Sequence, residues 1–293
     1  MMMQKFQSIV AAFDGSEPSE ESFAAMMPLV RSDRPDVAVL YVYPAPAMSY
    51  FPPPRLAEAC DRLRAEGVDA HLTIREGDPP AEILTYVKQR QPDLLVMETE
   101  GRTGLRRLAQ RSVAEDVLHQ ADVPVLLVRP GAARKSWTRM LVALDGSSRA
   151  EEILQDVIPL ARRLDASVEL VRVALPSIPV WAAAEAAGGA REEDPTPYLR
   201  KVQARLLEEG IDVRIAAPEG RAAAALLERA RDSDASLICL TTHGRTGFDR
   251  LLLGSTAEEV IHRASCPVLV RRTAGAPGLP MHAATLPQER SGP

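Results

Sequence analysis

Ile9-Val10-Ala11-Ala12-Phe13-Asp14-Gly15-Ser16 is an apolar run closed by an acid, a glycine and a hydroxyl, and it returns as Leu141-Val142-Ala143-Leu144-Asp145-Gly146-Ser147. From Asp14 to Asp145 the offset is 131 residues. Further along, Glu66-Gly67-Val68-Asp69 returns as Glu209-Gly210-Ile211-Asp212, and Val123-Pro124-Val125-Leu126 as Cys266-Pro267-Val268-Leu269, both 143 residues away. The second copy therefore carries twelve extra residues. They fall between Val173 and Tyr198, in a Pro, Ala and Gly-rich stretch that reads as a longer loop. A repeat of about 140 residues is too long for a solenoid unit and fits two domains. The spacing places these at 1–131 and 137–273, joined by a linker near residues 130–136. The tail at 274–293 holds Gly275, Pro277, Gly278, Pro280 and Pro287 and is expected to be disordered.

Within each copy, short continuous apolar runs alternate with longer amphipathic ones. Residues 7–13, 37–42, 70–74, 94–97 and 125–128 read as buried strands, and 18–31, 55–66, 80–90 and 112–120 as helices between them. The second copy repeats the strands at 140–144, 167–173, 213–216, 237–240 and 268–270. Regular alternation of strand and helix demands right-handed crossovers, and so an α/β fold of two tandem, doubly wound five-stranded parallel sheets. Ligands in such sheets sit at the carboxyl ends of the strands, beside the switch in strand order.

Composition narrows the function. The chain has 293 residues, 46% hydrophobic and 26% charged, with a formal net charge of -5. That balance is globular and gives no long-range attraction for nucleic acid or anionic lipid. No apolar stretch approaches a membrane span and no signal-peptide pattern opens the sequence, so a soluble cytoplasmic protein is expected. Cys60, Cys239 and Cys266 lack zinc or redox spacing and read as buried, inert thiols.

The residues with most chemical content follow the fourth strand of the second copy: Thr241-Thr242-His243-Gly244, nine residues, then Gly254-Ser255-Thr256 and a helix at 257–264. Glycine lets backbone approach a phosphate without a clashing Cβ. Free amides and hydroxyls at a helix N-terminus supply donors where the helix dipole favours an anion. The same residues also fit a tight turn before a capped helix. His243 fits a polar contact better than a catalytic base, since it has no partnered nucleophile. Gly77 and Gly220 mark turns before helices. No P-loop is present, and the lysines Lys5, Lys88, Lys135 and Lys201 stand outside both loops. A phosphate grip would rest on amides, hydroxyls and arginine.

In combination these residues resemble the universal stress protein family along nearly the whole chain. Its ATP-binding members carry Gly, two residues, Gly, nine residues, Gly and Ser or Thr after the fourth strand, with an aspartate ending the first strand and a valine near the end of the second. The second copy supplies Asp145, Val173, Gly244, Gly254 and Ser255, with Thr241 standing where the first glycine belongs. The resemblance implies ATP, with Mg2+ on its phosphates, bound by Asp145, Val173, Thr241, His243, Gly244, Gly254, Ser255 and Thr256. It also implies that the last strand of each half, 125–128 and 268–270, pairs with its counterpart, giving an internal pseudo-dimer and leaving open a further homodimer.

The first copy keeps Asp14, Val42, Gly101 and Ser112, but Glu98-Thr99-Glu100 opens its loop and Arg111 replaces the last glycine. Carboxylates there oppose phosphates by roughly a kcal/mol or more per close pair. Pairing of Glu98 and Glu100 with Arg102, Arg106 or Arg111 would leave this site weak or lost. The expected role is that of a stress-response protein that binds ATP mainly in its second half and signals through an unidentified protein partner. A slow ATPase or self-phosphorylating enzyme, and a scaffold that binds no nucleotide, stay open as alternatives.

Overall fold

The computed structural model describes residues 6–15, 19–44, 52–99, 112–132, 136–174, 194–242 and 254–273. In the first half, β1 (Ser8–Ala12), α1 (Ser19–Asp33), β2 (Asp36–Tyr43), α2 (Pro54–Ala65), β3 (Ala70–Glu76), α3 (Pro79–Arg90), β4 (Leu94–Glu98), α4 (Val113–Leu118) and β5 (Val125–Val128) alternate without exception. The second half runs β6 (Arg139–Ala143), α5 (Ser148–Glu151), α6 (Leu154–Leu164), β7 (Ser167–Val171), α7 (Thr196–Glu208), β8 (Val213–Ala216), α8 (Ala222–Asp232), β9 (Leu237–Thr241), α9 (Ser255–Arg263) and β10 (Val268–Arg271). All ten strands form one sheet in the order β3-β2-β1-β4-β5-β10-β9-β6-β7-β8.

Pairing is parallel within each half, as the apolar runs require of strands buried on both faces. Side-chain alternation explains those runs. Ile9 and Ala11 join the core beneath α1 and α2, while Val10 joins the core on the opposite face; Met140 and Val142 repeat the first set and Leu141 the second. From β6 the chain steps outward through β7 and β8, then returns to β6's other side with β9 and β10. The switch point lies between β6 and β9, and its counterpart between β1 and β4.

The halves meet through their last strands. β5 and β10 pair antiparallel, with Leu126 opposite Leu269, so two apolar edges are removed together. Contacts on both faces reinforce this seam. On one, Arg163 of α6 reaches Asp33 (2.6 Å) and the Ser32 carbonyl (2.7 Å) at the end of α1. On the other, His262 Nε2 of α9 lies 3.0 Å from Glu115 Oε1 of α4, and Arg129 donates to the Ala264 carbonyl at 2.9 Å. The internal pairing expected from the resemblance is thus present as a continuous sheet.

Element ends differ from the sequence reading by a residue or two. α9 starts at Ser255 instead of 257, because the Gly254 N–H closes onto the Thr242 carbonyl (3.0 Å) and turns the chain into the helix early. β7 leaves the regular ladder after Val171, although Arg172 N–H still reaches the Ala216 carbonyl and Ala174 bridges to Glu219. The first helix of the second half breaks at residues 152–153 into α5 and α6. The expected disordered tail and the long loop before Asp194 lie mostly outside the described residues.

Candidate functional site

Asp145 lies two residues past the end of β6, and the following Gly146 has φ +90°, a backbone state that favours glycine. The turn is fixed by Asp145 itself. Its Oδ1 accepts from the Ser147 N–H (2.9 Å) and hydroxyl (2.6 Å), while Ser147 Oγ accepts from Ala150 N–H (3.1 Å) to cap α5. The Asp-Gly-Ser triplet therefore converts strand into helix with the carboxylate held at the sheet's end.

Across the switch point, α9 opens on Gly254. No side chain among the described residues caps its N-terminus. A Cβ built on Gly254 would stand 3.1 Å from the Thr242 carbonyl, so the glycine is needed for the close approach of loop to strand and not for its φ of -57°. Ser255 is exposed and Thr256 half-buried. Between these two features lies a cleft of about 320 Å³, whose walls include Asp145, Val173, Thr241, Gly254, Ser255 and Thr256. Its floor is apolar, from Ala143, Leu226, Leu240 and Ala257. Six of the eight residues singled out in the second half are thus brought to one cavity. His243 and Gly244 lie outside the described residues.

Arg172 also lines this cleft and was not singled out from the sequence. It is 6% exposed, lies against Gly146 (3.1 Å from the place of its missing Cβ), and sits 5.5 Å over the Tyr198 ring. Burial, then the neighbouring Glu151 and the charge of Asp145, push ionisation of the Tyr198 hydroxyl well above its usual range, with Arg172 pulling the other way. The cleft thus has a polar wall of mixed sign behind an apolar floor.

The first half arranges the same positions differently. Ser112 caps α4 in a reciprocal box: its Oγ accepts from Glu115 N–H (3.2 Å) and its own N–H donates to Glu115 Oε2 (3.2 Å). The helix end that α9 leaves open is closed here. Asp14 is exposed, Val42 half-buried, and Pro53 packs over Gly15, within 2.6 Å of its missing Cβ. Gly101 and the loop arginines lie outside the described residues.

A doubly wound α/β module with an acid after its first strand is present twice, and in the second copy a glycine-opened helix faces that acid across the switch point. The family model described as "Universal stress protein family" matches residues 5–129 and again 136–272, and the chain belongs to that family. A universal stress protein of Methanocaldococcus jannaschii is 33% identical over 141 residues, covering 46% of this chain and 81% of its own. The universal stress protein E homolog of Haemophilus influenzae is 32% identical over 219 residues, 69% of each chain. Among solved structures, a universal stress protein from Archaeoglobus fulgidus superposes with a TM-score of 0.71 over 92% of this chain and 97% of that one, at 22% identity. This likeness spans both halves and shows the shared fold.

No described helix is long and apolar enough to cross a membrane. Among the described residues no group of three His, Cys, Asp or Glu side chains could hold a metal ion.

Proposed function

We propose that the second half binds ATP in the cleft between Asp145 and α9, and that the protein acts in the cytoplasm as a stress-response module signalling nucleotide status to a protein partner. The observation that carries this reading is the α9 N-terminus, opened by a glycine whose missing Cβ lets the loop close onto Thr242 and left without a side-chain cap. Its amides at Ser255 and Thr256 offer donors to phosphate where the dipole favours an anion. Asp145 and Val173, at the other end of the cleft, fit the base, with one carboxylate oxygen of Asp145 already held by Ser147. The cavity's size falls within the range of small-molecule sites. Mg2+, if it accompanies the nucleotide, would be carried on the phosphates.

The first half favours a scaffold role, because the capping box of Ser112 and Glu115 already occupies the amides of both residues at that helix end, Ser112 being the counterpart of Ser255. Slow hydrolysis or self-phosphorylation in the second half would need a base beside the terminal phosphate. His243, the histidine of that loop, reads from the sequence as a polar contact better than as such a base.

The test is direct. Purified protein is extracted with acid and the released small molecules are identified by mass spectrometry. ATP at close to one per chain is the expected result. No nucleotide, together with no binding by the folded protein when ATP is added back, would refute the reading.

A further inference from the structure

A second cleft, of about 560 Å³, opens at the opposite end of the second half, where β6, β7 and β8 begin. Comparison of the two repeats shows how it arises. In the first half this corner is closed by its own charges: Asp36 at the start of β2 takes Arg90 from the end of α3, and His71 Nδ1 from β3 lies 3.6 Å from the same carboxylate. The sheet registers match, Ala38 pairing with His71 and Glu169 with Arg214, so the positions can be equated one by one. In the second half Ser167 stands for Asp36, Ser233 for Arg90 and Arg214 for His71. An aspartate and an arginine that pair in the first half become serines, and the corner opens.

The exchange takes away the acid that stands beside this position in the first half. Among the described residues Arg214 makes no hydrogen bond or ion pair, and it lines the cleft together with both serines. The nearby acids do not replace Asp36. Glu169 on β7, opposite Arg214 in the sheet, accepts through Oε1 from Arg229 Nε at 3.0 Å and from its Nη2, its Oε2 is buried without a hydrogen bond among the described residues, and Asp234 is bound by Arg139. Asp232 acts on the charge of Arg229, raising its ionisation after the Glu169 hydrogen bond has done so. Ser167 Oγ and Ser233 Oγ donate to carbonyls, of Thr138 (3.3 Å) and Arg229 (2.8 Å).

We infer that this cleft is a binding site for a small organic carboxylate, whose acid group takes the place beside Arg214 that the Asp36 carboxylate holds beside His71 in the first half. A guanidinium fork suits a carboxylate, and the space left by two shortened side chains accommodates the rest of a short-chain acid. The site is independent of the ATP reading, since it lies at the other end of the sheet.

Calorimetric titration of the full chain with glutarate and succinate, with inorganic sulfate as a control anion, tests this. Binding of a dicarboxylate at millimolar or better affinity, weakened at least tenfold by Arg214→Ala, is expected. Ser167→Asp is the decisive variant: it restores the acid of the first repeat and should abolish carboxylate binding while the thermal melt stays cooperative. Wild-type protein that takes up neither acid at about 10 mM overturns the inference. So does sulfate binding as tightly as the carboxylates, or a folded Ser167→Asp protein that binds them unchanged. ATP binding should be unaltered in both variants, so a failure here is distinguishable from a failure of the proposed function.

Discussion

Gly254→Ser would give α9 the cap that α4 already has. The new Cβ would stand 3.1 Å from the Thr242 carbonyl, tighter than ordinary contact, and a shift of a few tenths of an ångström relieves it. Because φ is -57° at this position, no left-handed strain is added. Serine is at least as good a cap as glycine, so stability should change by less than about 1 kcal/mol in either direction. Nucleotide binding should respond more strongly. A serine Oγ at the cap accepts the amide of the second or third helical residue, here Thr256 or Ala257, which a phosphate would otherwise receive. Losing one hydrogen bond to a charged group costs about 1.5 to 3 kcal/mol, or tenfold to a hundredfold in Kd. Calorimetry and a thermal melt on the same preparation separate the two effects. A cooperative melt with ATP affinity unchanged would show that the α9 amides do not hold the phosphates.

Other perturbations follow from the same geometry. Gly254→Arg, which copies Arg111 of the first half, should abolish ATP binding outright, as seen by titration of folded protein. Glu115→Ala removes a helix cap and the contact with His262 together, and should cost about 1 to 2 kcal/mol in urea-melt stability; Glu115→Gln should recover part of it. Cys239 and Cys266 are buried. Burial, and after it the charge of Asp156 and the neighbouring Cys266, hold the Cys239 thiol well above its usual pKa. Burial likewise raises Cys60. None of the three should react with iodoacetamide at mildly alkaline pH until denaturant is added, and mass spectrometry of the native reaction checks this.

The tandem fold was legible because its strands are buried on both faces, so that each reads as an unbroken apolar run such as Val37-Ala38-Val39-Leu40. The seam was legible through the family resemblance, with which the apolar run Val125-Leu126-Leu127-Val128, unsuited to an open edge, agrees. The site was legible only in part. Asp145 and Gly254 announce themselves through turn chemistry. Arg172 does not, because one arginine after a strand looks like an exposed end until the fold lays Gly146 and Tyr198 beside it. Ser112 and Ser255 each begin the pattern Ser-x-x-Glu, yet only Ser112 forms the capping box. The difference lies one residue earlier, where Gly254 closes onto Thr242 and makes itself the cap, pulling Ser255 into the helix. The empty corner beside Arg214 required the two repeats to be superposed, since serine in place of Asp36 or Arg90 carries no signal of its own.

The most direct measurement for the central claim is a calorimetric titration of nucleotide-stripped protein with ATP, run on the wild type and on the two matched aspartate variants. One site per chain is predicted. Asp145→Ala should weaken it by up to about tenfold, the worth of one hydrogen bond to a neutral base of 0.5 to 1.5 kcal/mol. Asp14→Ala should leave it unchanged. A stoichiometry near two, or equal losses in the two variants, would contradict the assignment of nucleotide to the second half.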